Sequence, residues 1–134
     1  MTPHDRTVLV VDDNDETRWL VADVLKRAGY VVLEASDGQL ALDVASRVHP
    51  DLVLLDMTLP GMDGLEVTRR FKSNPELATI PLIALSARRQ PIDREQALVA
   101  GCARYVTKPC PPAMLRDVVA SALDATLRAN PHQA

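Results

Sequence analysis

Val8-Leu9-Val10-Val11-Asp12-Asp13 is a short apolar run that stops on two acids. A continuous apolar run of this length suits a strand buried on both faces, as in a parallel sheet. The pattern recurs down the chain. Leu52–Leu55 is a second such run, and it too ends on an acid, Asp56. Val31–Ala35, Ile80–Leu85 and the shorter Tyr105–Thr107 complete a set of predicted strands, with Pro81 tolerable only near the start of its own.

Between these runs the apolar period changes to that of helices. Leu20, Val21, Val24, Leu25 and Ala28 share one face and are stopped by Gly29. Asp37-Gly38 marks a turn and helix start, and Leu42, Ala45 and Val48 form a stripe up to Pro50. Pro60-Gly61-Met62-Asp63-Gly64 is a loop rich in breakers, followed by a helix from about Leu65 to Ser73. A polar loop and helix run from Ala87 to Ala100, with Asp93 as candidate N-cap and Gly101 as stop. Pro111-Pro112 can open a last helix, with Met114, Leu115, Val118, Val119, Ala122 and Leu123 as its apolar face.

Strands alternating with helices imply an α/β fold: a five-stranded parallel sheet, right-handed crossovers and helices on both faces. There is no internal repeat, linker or low-complexity stretch, and 134 residues suit one domain. The expected unit is therefore a single domain over 1–134 with a core at about 6–128, and the polar tail Asn130–Ala134 is expected to fray.

Composition narrows the function. With 47% hydrophobic and 25% charged residues, the chain is an ordinary soluble globular one. A net charge of −3 provides no basic field for a nucleic acid backbone. No apolar run approaches the roughly 20 residues of a membrane span, and Met1–Arg6 is polar rather than signal-like. Cys102 and Cys110 lie outside any CxxC or Cys/His cluster; they could form one disulfide, but two unpaired, half-buried thiols are the favoured expectation. These features point to a cytoplasmic location.

In such sheets ligands bind outside the carboxyl ends of the strands. There the chain places Asp12 and Asp13, then Asp56, then Ser86, with Lys108 just beyond the fifth run. Adjacent carboxylates repel one another unless a cation or proton intervenes. Two or three oxygen ligands suit magnesium, which keeps several of its waters. Lysine can neutralise a phosphate, or pair with Asp56 in its absence. Taken singly each residue has a plain structural explanation: Asp13 a helix cap, Ser86 a loop hydroxyl, Lys108 a solvated charge. Their joint appearance at four of five strand ends is hard to explain that way.

Together Val10-Val11-Asp12-Asp13-Asn14, Leu54-Leu55-Asp56-Met57, Pro60-Gly61-Met62-Asp63-Gly64, Leu85-Ser86-Ala87, Gly101-Cys102 and Tyr105-Val106-Thr107-Lys108-Pro109 resemble the receiver domain of bacterial response regulators. The resemblance covers roughly residues 6–128 with every motif in family order. It implies a doubly wound, flavodoxin-like (βα)5 fold and a switch in two-component or phosphorelay signalling. It implies Asp56 as phosphoacceptor from a histidine kinase or histidine phosphotransfer protein. Asp13, Asp56 and the backbone carbonyl of Met57 would ligate Mg2+, with Asp12 acting mainly through water. Lys108 and Ser86 would hold the phosphoryl group, with a cis Lys108–Pro109 peptide aiming the lysine inward. Ser86 and Tyr105 would form the switch, turned toward a downstream protein through the fourth helix, fifth strand and fifth helix, including Arg104. The aspartyl phosphate would be slowly self-hydrolysed, at a rate set by Thr58 and Arg88. Arg88 and Arg89 have an equal alternative as an ordinary solvated loop pair. The state expected is a monomer or weak phosphorylation-dependent dimer, with no enzymatic activity beyond its own phosphotransfer and slow autodephosphorylation.

Other features carry less. Trp19 is expected as a partly covered packing residue rather than a partner anchor, and Met57 and Met62 as fillers. His4, His49 and His132 form no constellation with an acid and a nucleophile. A magnesium-dependent aspartate-nucleophile phosphatase of the haloacid-dehalogenase type is the competing enzyme. Its DxDx(T/V) signature is missing: Asp56-Met57-Thr58-Leu59 lacks the second acid, follows the third strand, and leaves no room for a cap domain. No GxGxxG follows any strand, which disfavours dinucleotide binding. A degenerate receiver acting only as a binding module is disfavoured because none of the required groups is missing. A receiver cut from a larger hybrid protein stays open, although no output domain follows the last helix and the tail reads as a natural end.

Overall fold

The computed structural model describes residues 6–59 and 61–129, without the side chains of 126–129. His4, Pro60, His132 and the tail Asn130–Ala134 lie outside the described residues. Five strands alternate with five helices: β1 Thr7–Val11, α1 Asp15–Arg27, β2 Val31–Ala35, α2 Gly38–Val48, β3 Leu52–Asp56, α3 Gly64–Ser73, β4 Leu82–Ser86, α4 Pro91–Ala100, β5 Arg104–Thr107 and α5 Pro112–Ala129. All pairings are parallel, in the order β2-β1-β3-β4-β5. This is the doubly wound order in which the chain reverses direction of growth between β1 and β3.

Alternation along the strands builds two cores. Leu9 and Val11 of β1, Val53 and Leu55 of β3, and Leu82 and Ala84 of β4 face α2, α3 and α4 through Ala41, Ala45, Val67, Phe71 and Ala97. Their sequence neighbours Val8, Val10, Leu52, Leu54 and Ile83 face α1 and α5 through Leu25, Leu115, Val119, Ala122 and Leu123. Because successive side chains point to opposite faces, a strand with a core on each side must be apolar throughout. That explains the runs.

Short polar side chains at the carboxyl edge start three of the helices. Asn14, Asp37 and Asp63 accept the N–H groups of Thr17 (2.9 Å), Leu40 (2.8 Å) and Glu66 (3.0 Å). At the other end of α1, Gly29 takes φ 103°, which suits a residue without Cβ.

Several expectations need correction. Helix α4 starts at Pro91 after a Gln90 cap, and Asp93 is inside it, where its Oδ2 accepts the Gln90 N–H at 3.2 Å. The polar stretch 87–90 thus stays a loop. Strand β4 runs from Leu82 to Ser86, without Ile80 and Pro81, because Pro81 has no N–H to donate. In α1 the buried face is Arg18, Ala22 and Leu25, leaving Leu20 68% and Trp19 57% exposed. Trp19 is therefore more exposed than covered. The α2 stripe turns about the axis to Ala41 and Ala45, with Val48 exposed, and Met114 of α5 is likewise exposed. Cys102 is buried rather than half-buried, against Thr68 Oγ1 at 3.5 Å, and both thiols are free. Among the described residues no helix is long and apolar enough to cross a membrane.

Candidate functional site

The strands that flank the point of chain reversal, β1 and β3, end side by side, and both end in acid. Asp12 and Asp13 follow β1, and Asp56 is the last residue of β3. Oxygens of Asp12, Asp13 and Asp56 lie within 4.8 Å of one another. Asp12 and Asp56 are buried, whereas Asp13 is exposed at the mouth. The cap at the start of α1 comes from Asn14, not Asp13, so helix capping does not account for the Asp13 carboxylate. Asp12 Oδ1 accepts the Asn14 N–H at 2.9 Å, and Asp56 Oδ1 accepts that of Thr58 at 3.1 Å.

Lys108 comes from the far side of the sheet. Its backbone N–H donates to Ser86 O at 2.8 Å, which continues the β4–β5 ladder beyond Thr107. The Lys108–Pro109 peptide is cis. The ammonium Nζ then lies 3.4 Å from Asp12 Oδ2 and 3.5 Å from Asp56 Oδ1. Burial, the largest influence, pushes the Asp56 carboxyl above its ordinary pKa, against the opposing pull of the Thr58 N–H and Lys108. One ammonium and two peptide N–H groups are too little for three carboxylates.

Ser86 is the last residue of β4 and fully buried. Its Oγ accepts the Arg88 N–H at 3.1 Å, and the Arg88 carbonyl accepts the Tyr105 hydroxyl at 2.8 Å. Ser86 and Tyr105 are thus joined through the backbone of one loop residue. They also line, with Met57, Leu65, Arg88 and Gln96, a cavity of about 60 Å³ under α4. The Met57 carbonyl accepts the Gly64 N–H at 3.2 Å, and its side chain is buried in the core, with Met62 packed alongside. Thr58, whose N–H reaches Asp56, and Arg88 are both exposed.

Two contributors escaped sequence reasoning. Arg89 donates from Nη2 to the Lys108 carbonyl at 2.9 Å, so it ties the β4–α4 loop to the turn carrying the lysine. The pairing spans two loops and leaves no local signal. Arg18, on the buried face of α1, donates from Nη1 to the Asp12 carbonyl at 2.9 Å. Its signal was visible in principle, as a cation at an apolar position of the helical period.

Known proteins resemble this chain in sequence and in fold. The family model of the response regulator receiver domain matches residues 8–120. The chain belongs to that family. The receiver is 39% identical over 104 residues to the polar-differentiation response regulator DivK of Brucella ovis, covering 78% of this chain and 85% of DivK. A putative response regulator from Chloroflexus aurantiacus has the same fold at TM-score 0.85 and 33% identity, covering 89% of this chain and 98% of that one. The Vibrio cholerae chemotaxis protein CheY4 follows at TM-score 0.83 and 28% identity, with 87% and 97% covered. The receiver is thus a phosphorylation-dependent switch of two-component signalling. Membership implies dealings with histidine kinases or phosphotransfer proteins and with downstream targets. The phosphatase alternative finds no support in these likenesses.

Proposed function

We propose that Asp56 is the phosphoacceptor of this receiver, working with Mg2+ held by Asp12, Asp13 and Asp56. One observation carries the reading: Asp56 is the one carboxylate both buried at the end of the central strand β3 and within 3.5 Å of the Lys108 ammonium while an acid pair stands beside it. The residues fit the metal. Three carboxylates with oxygens within 4.8 Å of one another form a hard oxygen-donor set. The Met57 carbonyl keeps a second lone pair beside the one given to Gly64. When bound, the ion offsets the charge that gathers on the transferring phosphoryl oxygens.

The chain's own groups do the rest. Thr58 N–H and Lys108 both face Asp56 Oδ1, which leaves Oδ2 to attack phosphorus. A bond from Oδ2 to phosphorus forms as the bond to the donor's imidazole nitrogen breaks, and its electron pair leaves with that ring. Lys108 then turns from the carboxylates to the phosphoryl oxygens, and the Ser86 hydroxyl swings from the Arg88 N–H to donate its own proton to them. Slow hydrolysis of the acyl phosphate follows, tuned by Thr58 and Arg88, both exposed. The signal leaves through α4, β5 and α5 toward a downstream protein.

Incubation with acetyl phosphate and magnesium is expected to add one phosphoryl group to wild type and none to Asp56→Asn, read by intact mass. Equal labelling of the two proteins overturns the assignment.

A further inference from the structure

Arg18 stands where an apolar residue belongs. It shares the inward face of α1 with Ala22 and Leu25 and is only 9% exposed. Burying a guanidinium carries a large desolvation penalty, and an apolar side chain of similar volume often packs at least as stably. Its presence therefore asks for an explanation other than core stability.

The guanidinium makes three bonds. Nη2 donates to Asp15 Oδ1 at 2.7 Å, a carboxylate 63% exposed, where solvent weakens the pair. The other two reach inward: Nε donates to Glu34 Oε1 at 3.1 Å, and Nη1 to the backbone carbonyl of Asp12 at 2.9 Å. Glu34 and Ala35 are the last residues of β2, and the Asp12 N–H donates to Ala35 O at 3.1 Å. Both backbone polar groups of Asp12 are thus fastened to the end of β2, the N–H directly and the carbonyl through Arg18 and Glu34. The Asn14 N–H then holds the Asp12 carboxylate at 2.9 Å. The peptide that follows the clamped carbonyl leads directly into Asp13.

We propose that Arg18, held by Glu34, is a positioning residue that presets the Asp12-Asp13 turn for a divalent cation. This rests on the reading of Asp12, Asp13 and Asp56 as the metal site. Arg18 touches neither metal nor phosphoryl group. Its action runs through the Asp12 peptide, as outer partners of metal ligands do.

The experiment is a Mn2+ titration followed by electron paramagnetic resonance, Mn2+ being a hard octahedral probe for a magnesium site. It compares wild type, Arg18→Ala, Arg18→Lys, Glu34→Ala, Asp13→Asn and Val119→Ala, the last a core change on α5 that touches none of the Arg18, Glu34 and Asp12 hydrogen bonds. Arg18→Ala and Glu34→Ala are expected to weaken binding by roughly 10–100-fold, the range for lost outer partners. Arg18→Lys keeps the charge but lacks the fork, and is expected to recover part of the loss. In metal-free protein, amide NMR shifts at Asp13 and Asn14 are expected to move in both Ala variants and not in Val119→Ala. If Asp13→Asn binds as wild type, the metal-site reading falls. If Asp13→Asn loses binding while Arg18→Ala and Glu34→Ala stay within about twofold of wild type, well short of that range, the clamp falls and the site stands. If Val119→Ala, at a similar loss of Tm, weakens binding as much as Arg18→Ala, the effect is one of stability alone and the proposal is overturned.

Discussion

The Asp56 carboxyl is buried at the end of β3, and burial raises its pKa more than the Thr58 N–H and Lys108 lower it. A carboxyl with a folded pKa above its unfolded value holds its proton more tightly in the folded state. Its contribution to stability is therefore complete at low pH and is lost as pH rises through the folded pKa. In EDTA at pH 7, Asp56→Asn is expected to be more stable than wild type in urea denaturation, with the gap closing as pH falls toward about 4. Magnesium should narrow the gap at pH 7 by stabilising the charged form. A wild type as stable as the variant at pH 7 without metal would show that the ionised carboxylate is well compensated. The two neighbouring acids should differ in another way. Asp13 is exposed and free of capping duty, whereas Asp12 is engaged by Asn14 and Lys108. Asp13→Ala is accordingly expected to weaken magnesium binding more than Asp12→Ala by calorimetry, and the reverse order would exchange their roles.

At the scale of elements, the loop from β3 to α3 must bring a helix start against the strand end. Gly64 does this by close approach: a Cβ there would lie 2.5 Å from the Met57 Cα and 2.7 Å from its Sδ. The first neighbour is backbone and cannot rotate away. Gly64→Ala is expected to destabilise by about 1–3 kcal/mol, the range for overpacking, and to weaken magnesium binding by shifting the Met57 carbonyl. A urea midpoint equal to wild type would mean that the loop relaxes freely. Element types and most strand ends were legible because two-sided burial leaves continuous apolar runs. The helix faces were less so. Leu20, Val48 and Met114 are apolar yet exposed, while Arg18 is charged yet buried. Period alone marks a stripe without saying which neighbour covers it. The α4 start was misplaced because Asp93 caps from inside the helix, through the Gln90 N–H, and not from its end.

Across the whole molecule, a path of two hydrogen bonds joins Ser86 through Arg88 to Tyr105, and the proposed switch would run along it. A phosphoryl group on Asp56 would draw the Ser86 hydroxyl from the Arg88 N–H, free the β4–α4 loop, and let Tyr105 leave the Arg88 carbonyl for the cavity under α4. Moving a population from 1:99 to 99:1 takes about 5.5 kcal/mol. One charge-assisted hydrogen bond supplies about 1.5–3 kcal/mol, so in the proposed switch Ser86 would account for part and Lys108 with the metal for the rest. Ser86→Ala is expected to accept beryllofluoride at Asp56 yet to respond weakly in hydrogen exchange across Ala87–Lys108. An undiminished response would remove Ser86 from the relay.

The residues alone determined the strand–helix alternation, the acids at the ends of β1 and β3, and the family they resemble. These are properties of sequence neighbours: two-sided burial demands apolar runs, and the first polar residue after each run falls at the sheet edge. Tertiary structure decided what the far-apart partners do to one another. Only folding brings Lys108 within reach of both Asp12 and Asp56. Only folding seats Arg18 between the Asp12 carbonyl and Glu34, and hangs Tyr105 on the Arg88 carbonyl. Such contacts join residues of different elements, so their geometry is set by how strands and helices pack and is written in no single stretch of the chain.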